Sequence, residues 1–365
     1  MIEYSLVRFF NGMAFMFFAY ISYRMLRNKK HSRIQGILGY IFIFWAVLEA
    51  KDLFIDYQDE GSSFMNNILF FIDSWAVAAC SFYLLELTSP GWMNLRRMTA
   101  LLSPFLAMTA LYVITDWSIV FYAYILFIFL YSGSIVLIVS FAARRYNKYV
   151  RNNYSYSENI DVSWLKKATV ILAICLLVWI FAGIYITTWG DCIYHFLSIL
   201  LWFIILYYSE YQISIPMPNN LKKGNLLAKE PAEEEECCIK TESGYNVYTH
   251  IFKEKLQKIM EEQKLYLNPK LTVNDVANAI GTNRTYLSSY FNNELNTTFY
   301  DYINTLRIEE SSKPLLAVFP YTMNIDEIAE ASGFNSISTF RRAFLKKTGM
   351  TPLQYRKSNS LSNTF

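Results

Sequence analysis

Between Phe9 and Tyr208 the chain runs through seven apolar stretches, near residues 9–23, 34–48, 64–87, 98–115, 118–143, 168–188 and 193–208. With its flanks, each can supply the roughly 20 residues that cross a ~30 Å hydrocarbon core as a helix. Helix is the expected form because lipid offers no partner to a backbone N–H or C=O, so each must be satisfied within its own segment. Two stretches are weaker: the first opens on Arg8 and Asn11, and the fourth contains Pro104. Residues 1–213 are therefore expected to form a seven-helix transmembrane bundle.

The charges between these stretches are unevenly shared. Arg24, Arg27, Lys29, Lys30 and Arg33 follow the first; Arg96 and Arg97 follow the third; Arg144, Arg145, Lys148, Arg151, Lys166 and Lys167 follow the fifth. The alternate loops hold Arg8 and Lys51 beside Asp52, Asp56, Asp59, Glu60, Asp116 and Asp191. Lys and Arg collect on the cytoplasmic side, so the N-terminus is expected outside and the C-terminus inside. The first basic cluster comes after its apolar stretch, which suits an N-out anchor and not a cleavable signal peptide. The outer loops are short, so any sensing is expected within the bilayer or at its outer surface.

Ionisable groups in such stretches are functional candidates because they are costly there. Asp73 lies about nine residues into the third, ~14 Å deep at 1.5 Å per residue. Glu49 and His195 fall near the outer ends of the second and seventh. These three are the candidate residues of a signal pocket. The competing reading makes Glu49 interfacial, with Lys51 and Asp52, and Asp73 an interhelical hydrogen-bonding group.

After Ile213 the character of the chain changes. The first 213 residues carry 15 Lys/Arg and 13 Asp/Glu, while the remaining 152 carry 18 and 17, so the second part reads as soluble. Residues 214–244 contain Pro216, Pro218, Pro231 and an acidic run from Glu233 to Glu236. Such a stretch buries no core and is expected to be a flexible cytoplasmic linker, reaching roughly 30 Å. Five scattered cysteines and three histidines match no common metal pattern. There is no His-Glu-x-x-His, phosphate-binding loop or kinase signature. No enzyme activity, cofactor or metal is expected.

Residues 245–365 hold an internal repeat. Val276-Ala277 returns as Ile328-Ala329 and Gly281 as Gly333, an offset of 52. Beyond the turn the offset is 53: Leu287 pairs with Phe340, Phe291 with Phe344, Asn296 with Gly349, Thr298 with Thr351 and Tyr302 with Tyr355. Each copy reads as helix-turn-helix, at about 271–296 and 324–349. Thr272 with Asp275, and Asn324 with Glu327, have the spacing of a capping box. Gly281 and Gly333 suit the left-handed residue that ends a helix. Leu287 and Phe291, and Phe340 and Phe344, stand at i, i+4 on the second helix of each copy. Val247, Ile251, Leu256, Ile259 and Met260 mark a preceding amphipathic helix, expected to dock on its own domain, with pairing as the alternative.

These residues carry a resemblance. The series Ile325-Asp326-Glu327-Ile328-Ala329, Gly333-Phe334-Asn335, Thr339-Phe340-Arg341-Arg342-Ala343-Phe344, Thr348-Gly349-Met350-Thr351-Pro352 and Tyr355-Arg356 resembles the signature of AraC/XylS-family bacterial transcription regulators. Leu271-Thr272-Val273, Tyr286-Leu287, Phe291, Tyr302-Ile303-Asn304 and Leu306-Arg307-Ile308 fit it too. The resemblance covers 90 to 110 residues, and the whole chain is similar to members with a multi-pass membrane domain in front. It implies an all-α, membrane-embedded one-component regulator in the bacterial inner membrane, with its C-terminal double helix-turn-helix domain in the cytoplasm.

By that resemblance, the second helix of each unit enters the major groove of double-stranded promoter DNA. Arg284, Thr285, Ser288 and Ser289 in the first unit, and Ile337, Ser338, Arg341 and Arg342 in the second, fall on positions that face DNA. Arg suits guanine O6/N7, Ser several bases, and Ile a thymine methyl. Lys346, Lys347, Arg356 and Lys357 fall where phosphate contacts are expected. Other expected partners are the lipid bilayer, RNA polymerase, a second copy of the chain and a small-molecule or membrane signal. Two departures stand out: Asn296 replaces a usual Gly, and Pro314 a usual Leu, where it should shorten or kink the linking helix. Net charge over 245–357 is only +3, so local Lys/Arg placement must attract DNA. The rival reading is a membrane transporter or a scaffold with an accessory helix-turn-helix module; no inverted repeat or paired half-helices favour a transporter.

Overall fold

The computed structural model describes residues 2–27, 33–54, 63–185, 188–213, 215, 242–316 and 323–362. Among these residues the elements are helices, with one isolated antiparallel bridge between Tyr154 and Thr272. The chain divides into two units: residues 1–146 with 162–224, and residues 147–161 with 225–365. The expected linker, 214–244, lies almost wholly outside the described residues.

The first unit is built from α1 (Ile2–Arg27), α2 (Arg33–Phe54), α3 (Ser63–Thr88), α4 (Leu95–Thr115), α5 (Ser118–Asn153), α6 (Leu165–Tyr185) and α7 (Thr188–Tyr211). Among the described residues five of them, α1, α3, α4, α5 and α7, are long and apolar enough to cross a membrane. The expected count of seven spans is corrected to five among the described residues. α2 carries Glu49, Lys51 and Asp52 toward its end, and α6 sets Lys166 and Lys167 ahead of an apolar stretch whose described side chains end at Phe181. Pro104 leaves α4 continuous.

Aromatic stacking fills the interior of this unit. Phe42 meets Phe18 and Trp202 at 5.7 and 5.1 Å between ring centroids, while Phe71 stacks on Tyr124 at 4.0 Å. Offset and edge contacts at such distances add to the burial of large rings. Glu86, 1% exposed, accepts from the backbone N–H groups of Gly91 and Met93 at 2.8 and 2.9 Å and pairs with Arg33 Nε at 3.0 Å. A buried carboxylate is tolerable because each oxygen has a donor. It closes the turn between α3 and α4. On the outside Phe9, Met16, Tyr20, Leu137, Phe203 and Tyr207 are exposed.

The second unit contains α8 (Glu242–Glu262), a 3₁₀ turn (Leu265–Leu267), α9 (Val273–Ile280), α10 (Arg284–Ser289) continued by a π turn to Glu294, α11 (Phe299–Leu315), α12 (Ile325–Ala331), α13 (Ile337–Thr348) and α14 (Pro352–Ser362). Two cores form around α11. Phe299 and Ile303 join Val276, Leu287 and Phe291 in one; Ile308 and Leu315 join Ile328, Phe340 and Phe344 in the other. Apolar residues at helical spacing on two sectors of one helix thus tie both helix-turn-helix units to a common beam. Phe252, Leu256 and Met260 of α8 enter the first core, so that helix docks on its own domain.

The local signals read from the sequence are realised here. Both capping boxes form, Thr272 with Asp275 and Asn324 with Glu327. Gly281, Gly333 and Gly349 take φ of +77°, +83° and +75°, and Asn296 takes +45°, the left-handed region that Asn tolerates. A Cβ at Gly333 would lie 2.7 Å from the Leu267 Cα and from the Tyr266 and Leu267 carbonyls, so close approach also demands glycine. Pro314 has no N–H to continue the ladder, and α11 stops one residue later.

Candidate nucleic-acid interface

Each candidate DNA-reading helix is held by a cap at its start and by aliphatic or aromatic side chains on its inner face. For α10 the cap is Asn283, whose side chain accepts from Tyr286 N at 2.7 Å, and Leu287 is fully buried. For α13 it is Ser336, which accepts from Thr339 N at 3.2 Å, with Phe340 and Phe344 fully buried. Inward anchors at i, i+4 leave the positions between them facing outward.

Most of the candidate contacts fall on those outward positions. Thr285, Ser289, Ser338, Arg341, Arg342, Lys346, Lys347 and Lys357 are exposed. Four others are placed differently. Arg284 is half-buried with its guanidinium 5.3 Å from the centre of the Tyr149 ring. Ser288 is half-buried, and its carbonyl and hydroxyl both accept from Asn292. Ile337 packs partly into the second core, leaving less of it to meet a thymine methyl. Arg356, expected as a phosphate contact, is drawn inward: it is 9% exposed and donates to the Met323 carbonyl at 3.1 Å.

Arg307 is the electrostatic centre of the unit. It is 1% exposed, and its guanidinium donates to five oxygens: Tyr266 O at 2.7 Å, Asn268 O at 2.7 Å, Ser155 O and Oγ at 3.0 Å each, and Asn304 Oδ1 at 3.2 Å. Burial pulls its pKa down to about 10, with Glu158 opposing the shift. Nearby, Asp301 receives Arg151 Nη2 at 3.0 Å on both oxygens, Lys346 Nζ at 3.0 Å and the Thr298 hydroxyl at 2.8 Å. Burial would raise the Asp301 carboxyl, but these donors outweigh it and hold the group below its ordinary value.

Sequence reasoning missed the segment 147–161 altogether. It pairs with the stretch before α9 through Tyr154 and Thr272, and Ser155 N donates to Leu271 O at 3.0 Å. Fifteen residues without periodicity or motif, more than 100 positions upstream, carry no local signal of this role. Lys148 and Arg151 were legible there only as loop charge.

In the first unit the three candidate pocket residues separate into two groups. Glu49 accepts from Asn11 Nδ2 at 2.9 Å and stands 3.3 Å from His195 Nδ1, all three buried. Asp73 pairs with Lys51 at 2.9 Å, and Lys51 also bonds Asp52. Asp73 lines a cavity of about 460 Å³ with Trp45, Cys80, Tyr194, Ser198 and Trp202, which Glu49 and His195 do not line. The Ser198 hydroxyl, in a residue only 2% exposed, has no hydrogen-bond partner among the described residues.

Comparison with known proteins bears on the second unit. The family model described as a helix-turn-helix domain matches residues 276–358. The uncharacterized HTH-type transcriptional regulator YdeC of Bacillus subtilis is 33% identical over 106 residues, 29% of this chain and 35% of YdeC. YobQ of the same organism, described likewise, is 30% identical over 128 residues, 34% of this chain and 52% of YobQ. The chain thus spans about half or less of the curated relatives it matches. Among solved structures, the C-terminal domain of the two-component response regulator yesN from Fusobacterium nucleatum is 32% identical. The match covers 28% of this chain and 96% of that one, with a TM-score of 0.25. The C-terminal domain of AraT, a response regulator from Geobacillus stearothermophilus, is 30% identical, covering 30% and 84%, with a TM-score of 0.26. Residues 276–358 thus form a helix-turn-helix domain of AraC type, and the curated relatives that share it are described as HTH-type transcriptional regulators.

Proposed function

We propose that the protein is a membrane-embedded one-component regulator, whose two helix-turn-helix units occupy successive major grooves of a promoter under control of a signal received by its apolar helices. The observation that carries the reading is the coexistence, in one chain, of five helices fit to span a bilayer and a two-unit DNA-binding domain. Two units about one helical turn apart read ~20 base pairs of an asymmetric site. Thr285, Ser289, Ser338, Arg341 and Arg342 are the base-facing set, joined by Arg284 once its Tyr149 contact opens. Lys346, Lys347 and Lys357 meet phosphates, supplying affinity that falls with salt. RNA polymerase and a second copy of the chain are the further partners.

The first unit supports a signal that dissolves in the membrane. Its 460 Å³ cavity is walled mainly by apolar side chains and offers the Ser198 hydroxyl and the Asp73 carboxylate as polar points. A few polar groups in an apolar cavity orient an otherwise greasy ligand. Glu49, His195 and Asn11 form a separate polar lock between α1, α2 and α7.

Genome-wide crosslinking of the tagged full chain, beside Arg341→Ala/Arg342→Ala, tests the proposal together with membrane fractionation. Discrete promoter peaks that vanish in the variant, from a protein that sediments with membranes, are expected. A stable membrane protein with no peaks would favour the transporter or scaffold reading.

A further inference from the structure

The segment 147–161, the last two turns of α5 and the loop that follows them, is part of the DNA-binding unit, and its contacts follow a path. Near one end the Tyr149 ring lies beside the guanidinium of Arg284, the first residue of α10, at 5.3 Å. Arg151 holds Asp301 at the start of α11. At the middle Tyr154 bridges to Thr272, and Ser155 gives its carbonyl and hydroxyl to the buried Arg307. At the other end Glu158 Oε1 accepts from the hydroxyl of Ser336, the cap of α13, at 3.2 Å. The strap therefore runs from the start of one DNA-reading helix to the start of the other.

Those two starts are where a duplex must approach, because a helix-turn-helix reads bases with the N-terminal residues of its second helix. Arg284 can turn to a guanine edge or rest on Tyr149, not both. The Glu158 carboxylate stands at the N-terminus of the twelve-residue α13, whose dipole and free N–H groups would otherwise favour a DNA phosphate. A carboxylate there also repels the phosphate backbone.

The contacts are unequal in strength. Ser155 and Arg307 are 1% exposed, so parting them takes two hydrogen bonds from a buried cation and the guanidinium donor from two buried oxygens. The Arg151 and Asp301 side chains are 44% and 31% exposed, and partly exposed pairs of this kind contribute little. The middle of the strap is its fixed point, and lifting its ends must also free Val150 and Ile160, 1% and 0% exposed, one at each end.

We propose that residues 147–161 are a self-inhibitory strap, pinned at Ser155, whose ends cover Arg284 and the start of α13 and must lift before promoter DNA can seat. This rests on the DNA-binding reading above. The end of α5 and the loop after it thereby gain a regulatory role, since whatever shifts the strap's ends changes the fraction of DNA-competent molecules. If that fraction is about one in ten, freeing the ends tightens apparent affinity about tenfold.

The test uses the full chain in lipid nanodiscs and a duplex selected by that chain from a random library of about 30 base pairs, enough for the ~20 base-pair site. Tyr149→Ala/Glu158→Ala is compared with the unaltered chain by fluorescence anisotropy. Glu262→Ala on α8 serves as the control for one lost negative charge. Binding about tenfold tighter in the double variant, with the control within about twofold, is the expected result. Hydrogen exchange gives a second readout: on adding duplex, backbone amides near 149–151 and 157–159 should exchange faster while α10 and α13 exchange more slowly. Equal or weaker binding by the double variant, with its melting temperature unchanged and residues 149–159 still protected on DNA, would make the strap a permanent brace and overturn the proposal. If neither chain selects any duplex, the DNA-binding reading itself fails.

Discussion

The guanidinium of Arg307 donates to both the carbonyl and the hydroxyl of Ser155, each at 3.0 Å, across 152 residues of sequence. This contact, with the Tyr266 and Asn268 carbonyls, makes a buried cation tolerable, since a buried charge is stable only when its hydrogen-bonding capacity is filled. Arg307→Met would take the guanidinium donor from the Tyr266 and Ser155 carbonyls, while the Asn268 carbonyl keeps Leu271 N at 3.2 Å, and each such orphan costs about 1–3 kcal/mol. We expect the second unit to lose roughly 3 kcal/mol or more, against about 1 kcal/mol for Ser155→Ala, which removes one hydroxyl. Urea unfolding of the full chain, followed by hydrogen exchange over α9 to α13, reads both. An Arg307→Met chain as stable as the parent would show that the guanidinium is no keystone.

Gly281 and Gly333 occupy equivalent turns with nearly equal φ, +77° and +83°, yet their surroundings differ. A Cβ on Gly281 meets nothing within 4 Å, while one on Gly333 would strike backbone at 2.7 Å. Gly281→Ala should therefore cost only the left-handed strain, about 1–2 kcal/mol. Gly333→Ala must also push the Tyr266–Leu267 backbone away, disturbing the carbonyl that receives Arg307 Nε. The expectation is a far larger loss at Gly333, measured as the difference in unfolding midpoint between the two variants. Equal losses would mean the 3₁₀ turn yields freely.

Much of the second unit was legible because its signals are local. A cap three residues from its acidic partner, a glycine in the turn and anchors at i, i+4 each depend on neighbours within one or two turns. Thr272 with Asp275, Asn324 with Glu327, and Asn296 in its left-handed pocket were readable for that reason. What hid was long-range. Nothing near Ser155 announces that it receives Arg307, and nothing near Arg356 tells that its guanidinium turns toward Met323. In the first unit apolar runs revealed the helices but overcounted the spans. Asp73 and Glu49 stood out as charges in apolar runs, yet which partner each chose, Lys51 or His195, is decided by helix packing.

Placement of the basic residues gives a prediction about salt. Lys347 is exposed, whereas Arg356 is committed to the Met323 carbonyl. On the promoter-binding reading, Lys347→Ala should lower the slope of log affinity against log salt by about 1, the signature of one lost phosphate contact. Arg356→Ala should leave that slope unchanged and lower the thermal stability of the second unit. Anisotropy titrations at several salt concentrations separate the two. An Arg356→Ala chain with a reduced slope and intact stability would return that residue to the phosphate-binding set.

Acid should loosen the second unit through two carboxylates. Burial alone would raise Asp301, but the Thr298 hydroxyl, Lys346 and Arg151 bring it below its ordinary 3.8. Hydrogen bonds from Lys313 and Lys264 are the leading cause that brings Glu310 from 4.5 to about 2. A carboxyl whose folded value is depressed stabilises the fold above its unfolded value and loses that stabilisation as pH falls toward the folded one. Stability from this source should therefore be level from pH 7 to about 5, then decline through the ordinary carboxylate range toward pH 2. Asp301→Asn and Glu310→Gln should each flatten part of that decline while lowering the plateau at neutral pH. Both side chains are partly exposed, 31% and 21%, so about 1 M salt should shrink the effect. Melting temperature against pH, for the full chain and both variants at low and high salt, is the measurement. An acid limb of unchanged steepness in both variants would place the sensitivity in other groups.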